Sequence, residues 1–215
     1  HVLSQKPFVR DLSEGKVLCD LADECGVQLA VNQNGRFAPH FFYARKAIEA
    51  GLIGKPFSLQ LSVLWDHTWV RGTSFAQQED LLLFDYAIHW FDISRCLLPQ
   101  AIPYRIFACT RPAPDAEDLP DLSARIIIQW DHAVSSLTLE GATRCVSEHR
   151  MQVMGTNGTI ISHGADYDHH DLRVILQEQT IVPKLQRRWF PDAFGFVMSE
   201  FLDAISTGRS CELNA

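Results

Sequence analysis

From Phe57 the chain alternates. Phe57, Leu59, Leu61, Val63 and Trp65 fall on one side, and Ser58, Gln60 and Ser62 on the other. That period of two is the mark of a half-buried strand. Shorter strand patterns follow at 104–110, 122–130, 134–139, 151–154 and 159–162, with turn signals at Asp131-His132 and Asn157-Gly158. Connections this short imply an antiparallel or mixed sheet, with one face under helices and another, partly apolar, left open. Helical spacing appears in four places. Asp11 and Glu14 form a capping pattern ahead of Val17, Leu18, Leu21, Ala22 and Cys25, and Gly26 suits the position just past the end. Pro39 opens a second helix through Phe41, Ala44, Ala47 and Ile48, closed by Gly51 and Gly54-Lys55-Pro56. The stretch 79–98 is strongly apolar and reads as a buried helix stopped by Pro99. The last helix carries Phe194, Val197, Met198, Phe201, Leu202 and Ile205 and ends at Gly208, with the residues beyond expected to hang free.

The first residues add a different layer. His1-Val2-Leu3 reads as a strand already under way, and another strand follows the first helix at 27–31, so 1–31 runs strand, helix, strand. That order belongs to a parallel α/β layer, and the turn-rich Asn32-Gln33-Asn34-Gly35 is the exit from it. The fold class is therefore α/β, a parallel layer followed by a larger, mostly antiparallel sheet. Two strands are too few for such a layer, so the chain is expected to lack its natural beginning, and its end also reads as cut. The stretch 111–120, with three prolines and three acidic residues, is expected to be an exposed loop without chemistry.

Charge and composition narrow the partners. Nineteen Lys and Arg against 26 Asp and Glu leave a formal charge of -7, which disfavours nucleic acid and anionic membrane surfaces. No apolar run reaches the roughly 18 residues of a membrane span, and the start has no signal-peptide pattern. Cys19, Cys25, Cys96, Cys109, Cys145 and Cys211 are scattered without a CxxC pair and read as reduced thiols, which fits a cytoplasmic location.

Candidate chemistry sits inside the apolar stretch. Asp85, His89 and Asp92 stand at i, i+4 and i+7, one stripe on one helical face. A carboxylate one turn from an imidazole orients it and raises its proton affinity, as general-base work requires. A buried histidine bonded to its neighbours for structure gives the same spacing. Lys6-Pro7 follows the first strand, where ligand sites of open α/β sheets gather. Asp166, Asp168, His169, His170 and Asp171 are ligand-type residues, but close neighbours on one loop rarely converge on an ion, and no metal is expected.

These motifs together resemble the Gfo/Idh/MocA oxidoreductases, relatives of glucose–fructose oxidoreductase and inositol dehydrogenase. His1-Val2-Leu3-Ser4-Gln5-Lys6-Pro7 is similar to the family's strand ending in Glu-Lys-Pro. Asn34-Gly35-Arg36-Phe37-Ala38-Pro39 with Gly51-Leu52-Ile53-Gly54, then Asp85/His89/Asp92, then Gly155-Thr156-Asn157-Gly158, resemble its later motifs in order. The resemblance implies that 1–31 is the remnant of a dinucleotide-binding Rossmann domain and 32–215 a substrate-binding and oligomerisation domain. It further implies NAD or NADP as cofactor, and hydride transfer from a hydroxyl carbon of a sugar, sugar derivative or cyclitol. His89 would take the hydroxyl proton, Lys6 would polarise the oxygen and Asp85 would orient the imidazole. Lys6 and Pro7 would line the cofactor. Asn32, Arg36, Trp65 and Asp92 would line the substrate, Asp92 also supporting its helix. A homodimer or homotetramer through the open sheet is implied as well. The chain departs from the pattern in Gln5, in Glu79-Asp80-Leu81-Leu82-Leu83 where the family has glycines, and in having no GxGxxG. A non-catalytic sensor on the same fold is the alternative these departures leave open.

Overall fold

In the computed structural model, which describes residues 1–215, β1 (Val2–Ser4) and β2 (Leu29–Val31) pair in parallel, with Val2 opposite Leu29 and Ser4 opposite Val31. Between them α1 (Leu12–Glu24) begins where Asp11 accepts a hydrogen bond from the Ser13 amide at 2.7 Å, satisfying a donor that the first turn cannot. Its stripe of Val17, Leu18 and Leu21 faces outward, and only Gly15 and Ala22 are buried.

The tail beyond Gly208 does not hang free, contrary to its reading from sequence. Val31 donates its amide to Leu213 at 2.9 Å, and Ala215 donates to Leu29. The tail thus turns against β2, with Asn214 in an isolated antiparallel bridge to Ala30, and Cys211 and Leu213 bury beside Ala30, Val197, Phe201 and Ala204. The last three come from α4 (Asp192–Thr207), so the end of the chain packs onto its beginning. Arg209 locks the corner through Glu200 and Asp203.

The main sheet has eight strands: β3 (Pro56–Leu64), β4 (Pro103–Arg111), β5 (Ser123–Trp130), β6 (Val134–Glu140), β7 (Glu148–Gly155), β8 (Gly158–Gly164), β9 (His170–Leu176) and β10 (Thr180–Ile181). Their order is β10-β9-β8-β7-β3-β6-β5-β4. Every pairing is antiparallel except β3 with β6. α2 (Pro39–Glu49) and α3 (Ile88–Leu97) cover one face. Leu59, Leu61 and Val63 of β3, Leu137 and Leu139 of β6 and Met151 and Val153 of β7 bury against Phe41, Ile48, Trp90 and Ile93. Each fully buried aliphatic side chain contributes about 1.5–3 kcal/mol, so the core is a sandwich of this sheet face and the two helices.

Three sequence readings change. β9 was hidden because its start, His170-Asp171, looks like a ligand run, although Leu172 and Val174 alternate inward. The 111–120 stretch is not simply an exposed loop, since Ala113, Ala116 and Leu119 bury against Val70, Leu81 and Leu122. The uncovered sheet face is polar at its centre, where Ser58, Gln60, Ser62, Ser136, Thr138 and Gln152 lie. Exposed apolar side chains gather instead on the edge strand β4, at Tyr104, Ile106 and Phe107.

Candidate functional site

The helix expected over 79–98 is broken into two geometries. Leu82–Tyr86 forms a π-helical turn, with Ala87 donating to the Leu82 carbonyl five residues back at 2.8 Å, before α3 resumes at Ile88. A π turn rotates successive side chains less than an α turn and is common at functional sites. Asp85 lies in the π turn while His89 and Asp92 lie in α3, so the expected single stripe comes apart.

Asp85 turns to Lys6. The Lys6 ammonium, just past β1, donates to the Asp85 backbone carbonyl at 2.8 Å and to its carboxylate at 3.1 Å, across 79 residues of sequence. The two side chains are 18% and 26% exposed, so the pair is partly buried rather than sealed in the core.

His89 receives no carboxylate. Its Nδ1 is sealed without a partner, and Nε2 makes no protein hydrogen bond. Burial, with the Lys6 charge adding, pushes the ring down to about 3, the opposite of the raised proton affinity expected from an Asp–His dyad. Trp189 stands edge-on to the ring at 5.7 Å, held by its indole N–H donating to Asn34 at 2.7 Å. Gly35 matters here because a Cβ would lie 3.3 Å from Trp189 and 3.8 Å from His89 Nδ1.

Arg36 and Asp92, expected beside the substrate, are spent on each other. Arg36 donates through Nε at 2.8 Å and Nη2 at 2.5 Å to the two Asp92 oxygens, and through Nη1 to the Glu212 carbonyl. Their side chains are 20% and 10% exposed. Burial opposes the Arg36 charge, and Asp92 more than offsets it, holding the guanidinium above its ordinary value. This bidentate pair ties α3 to the turn after β2 and to the tail. Asn32, at the end of β2, donates to Gln5 at 3.3 Å and keeps its carbonyl oxygen buried without a partner. Trp65, at the end of β3, is half-buried against His67, Tyr86 and Tyr167. The Lys6–Pro7 peptide is cis.

Sequence reasoning missed several side chains of this region. His67 feels burial first and then Asp85, Lys6 and Asp66, and its ring is pushed down to about 4. Tyr86 and Tyr167 share a hydrogen bond between their hydroxyls, and burial raises both phenols. Below them His40 and His170 stack at 3.6 Å, with His149 6.1 Å from His170. Asp166 accepts from the amides of Asp168 and His169 and from the His169 ring, and no group of three His, Cys, Asp or Glu is arranged around a common point. The one available signal was Trp65-Asp66-His67 just past β3, two polar residues following an aromatic at a strand end.

With this geometry in hand, comparison with known proteins is informative. Residues 41–161, more than half of the chain, match the model of the GFO/IDH/MocA C-terminal domain. The chain is 26% identical over 222 residues to scyllo-inositol 2-dehydrogenase (NAD(+)) of Bacillus subtilis, covering 98% of this chain and 62% of that protein. It is 25% identical over 163 residues to D-apiose dehydrogenase of Rhizobium rhizogenes, covering 74% and 47%. The chain thus spans about half the length of the curated relatives it matches. In three dimensions it is similar to an oxidoreductase from Agrobacterium radiobacter solved with NAD+, L-tartaric acid and magnesium, with a TM-score of 0.83 at 21% identity, over 99% of this chain and 65% of that one. The shared fold, the ordered motifs and the family model agree, and the chain belongs to the GFO/IDH/MocA family.

Proposed function

We propose that the whole protein is an NAD- or NADP-dependent dehydrogenase that oxidises a hydroxyl carbon of a sugar, sugar derivative or cyclitol, with Lys6, Asp85 and His89 as its reacting centre. The observation that carries this reading is the ion pair between a lysine just past β1 and a carboxylate in the π turn, with an imidazole whose Nδ1 has no partner one turn further along in α3. The relatives named as inositol and apiose dehydrogenases support the same chemistry.

The residues present fit one end of a nicotinamide dinucleotide. The Asn32 carbonyl oxygen, buried and unsatisfied at the end of β2, suits a carboxamide N–H, and Lys6 and Pro7 lie at the matching end of β1. Bound there, the nicotinamide would supply the hydride acceptor. The pyrophosphate has no cradle in residues 1–31, because the start of α1 is capped by Asp11 rather than opened by glycines. That part belongs to a dinucleotide-binding segment, of which 1–31 would be the closing strands and 32–215 the substrate side.

Lys6, held by the Asp85 carboxylate, donates to the substrate hydroxyl oxygen and stabilises the charge that grows on it. His89, neutral at working pH, would accept the hydroxyl proton at Nε2 as the C–H bond gives up its hydride, which requires its own ring proton on the sealed Nδ1. A ring depressed this far is a weak base, so the larger share of activation falls to Lys6 acting on the oxygen. Asp85 serves the lysine, not the imidazole. We further propose that two copies associate through the apolar end of the sheet, where β4 exposes Tyr104, Ile106 and Phe107, and that the protein works in the reducing cytoplasm, a reading its six free thiols support. Light scattering that gives a monomer at high concentration would remove the first of these.

The deciding experiment measures NAD(P)+ reduction by the full-length protein against a panel of inositols and aldoses. His89→Ala should lower kcat by about 10²–10⁴-fold with cofactor affinity unchanged. Wild-type kcat in a folded His89→Ala protein would end the base assignment.

A further inference from the structure

A cavity of about 420 Å³ lies on the outer side of α2, between that helix, the first turns of α4 and the extended segment 184–187. Its floor is aromatic. Phe37, Phe42 and Phe196 stand nearly parallel, Phe37 being 6.3 Å and 20° from Phe42 and 6.2 Å and 14° from Phe196. Tyr43 lines the same space, with its hydroxyl free of any hydrogen bond to the protein. The opposite wall is polar and unspent. Lys184 and Arg187 are exposed, and the backbone of 184–187 makes no hydrogen bond to another backbone group.

The charge around this cavity runs against that of the chain. Arg187 lies over the Phe196 ring at 4.4 Å, Arg45 lies 5.5 Å from Phe42, and Lys46 lies 5.7 Å from the same ring. Glu49 and Glu212 answer Arg45 and Lys46. Lys184 and Arg187 have no acidic partner, and no carboxylate lines the cavity, although the chain carries a formal charge of -7. An apolar floor with a few convergent polar groups, at this volume, is the composition of a small-molecule site. Parallel ring faces accept another flat ring, and two unpaired cations at the rim call for an anionic group at its edge. A polyol fits poorly, because its many hydroxyl donors would meet aromatic faces and cations that accept nothing.

We propose that this cavity is a binding site for a flat aromatic anion of the aromatic carboxylate class, separate from the reacting centre. None of Lys6, Asp85 and His89 lines it. The two places are nevertheless neighbours along the chain, since Trp189, two residues beyond Arg187, is buried and meets His89 edge-on at 5.7 Å.

The test titrates the full-length protein with anilinonaphthalenesulfonate, a flat aromatic anion whose fluorescence rises in an apolar site. One molecule should bind per chain, with a dissociation constant on the order of 10 µM, the usual yield per atom for a ligand of that size. Naphthoate should displace it, and naphthol, the same ring without the charge, should compete about tenfold less well. NAD+ and the panel of inositols and aldoses should not displace it. Lys184→Gln with Arg187→Gln changes two exposed side chains that have no partner to lose, so the melting curve should stay as it is. That variant should bind the sulfonate and naphthoate about tenfold more weakly and naphthol as before. Phe42→Ala, which removes part of the floor, should weaken all three. Equal affinity for naphthoate and naphthol, or a double variant that binds like the wild type, would reduce the cavity to an apolar surface patch. Displacement by NAD+ or a sugar would make it part of the reacting centre, and a titration that never saturates would show no site at all. Each of these results overturns the proposal.

Discussion

Replacing Arg36 with Ala separates a structural tie from a substrate contact. The guanidinium meets Asp92 in two bonds of 2.8 and 2.5 Å, and both side chains are at least four-fifths buried. At such a separation and an effective dielectric near 20 the attraction is about 6 kcal/mol before desolvation, which takes back most of it. Removing only the arginine leaves the Asp92 charge in the same poorly hydrated place. Full burial would make that loss about 3–5 kcal/mol, and the remaining exposure lowers it to about 2–4 kcal/mol. The Glu212 carbonyl loses its donor too, which frees the tail from β2. For a chain of this size 1 kcal/mol moves Tm by about 2–4 °C, so the full-length protein should melt roughly 5–15 °C lower. Urea denaturation with unchanged m-value would give the same figure in free energy. Arg36→Met with Asp92→Leu, which removes both charges, should recover most of the loss. If Arg36→Ala keeps wild-type stability while KM rises tenfold, the arginine contacts substrate and the tie is incidental.

Other consequences can be measured alongside. Asp85→Asn preserves an acceptor for Lys6 but removes its counter-charge, so kcat should fall by less than in Lys6→Ala; equal losses would mean that Asp85 acts on the substrate directly. Stability should fall with pH between about 6.5 and about 4, because His67, His149 and His170, each pushed down to about 4 by burial, stay neutral in the fold while the unfolded chain takes up protons. Each contributes up to about 1.4 kcal/mol per pH unit over that window, and a flat urea midpoint from pH 7 to 5 would contradict the burial. Gly155→Ala should cost roughly 1–3 kcal/mol, since its Cβ would stand 2.2 Å from the Ile53 carbonyl; an unchanged melting curve would show that the turn yields.

What the sequence made legible follows the reach of its signals. β3, β5, β6 and β7 announced themselves because each buries every second residue, and a period of two survives whatever the neighbouring strands are. β9 did not, because its polar first residues masked two inward side chains. Lys6, Asp85 and His89 were singled out by motif order, and the partnership expected between Asp85 and His89 is replaced by one between Asp85 and Lys6. The spacing i, i+4 names a shared face only while the helix is an α-helix, and the π turn at Leu82–Tyr86 removes that premise. Arg36 with Asp92, Trp189 with Asn34 and Leu213 with β2 join segments 56, 155 and about 180 residues apart. No periodicity encodes such pairs. His67 lay outside every pattern because its burial comes from the groups folded around it.

The exchange of partners at Asp85 changes what the site can do. A carboxylate on His89 would store a strong base in the resting protein and compete with the substrate for the ring. Given to Lys6, the same carboxylate neutralises a partly buried cation that would otherwise stand unpaired, and fixes where that cation points. The Asp85 backbone carbonyl, a second acceptor at 2.8 Å, keeps the ammonium in place even when the carboxylate moves. His89 and His67 both feel the Lys6 charge and both remain uncharged. On the reading proposed above, a lysine and an uncharged imidazole would face the substrate, a combination that favours oxygens carrying partial negative charge. A developing alkoxide is such an oxygen, and the attraction it meets grows as the hydroxyl proton departs, which is where stabilisation accelerates a reaction rather than merely tightening its substrate.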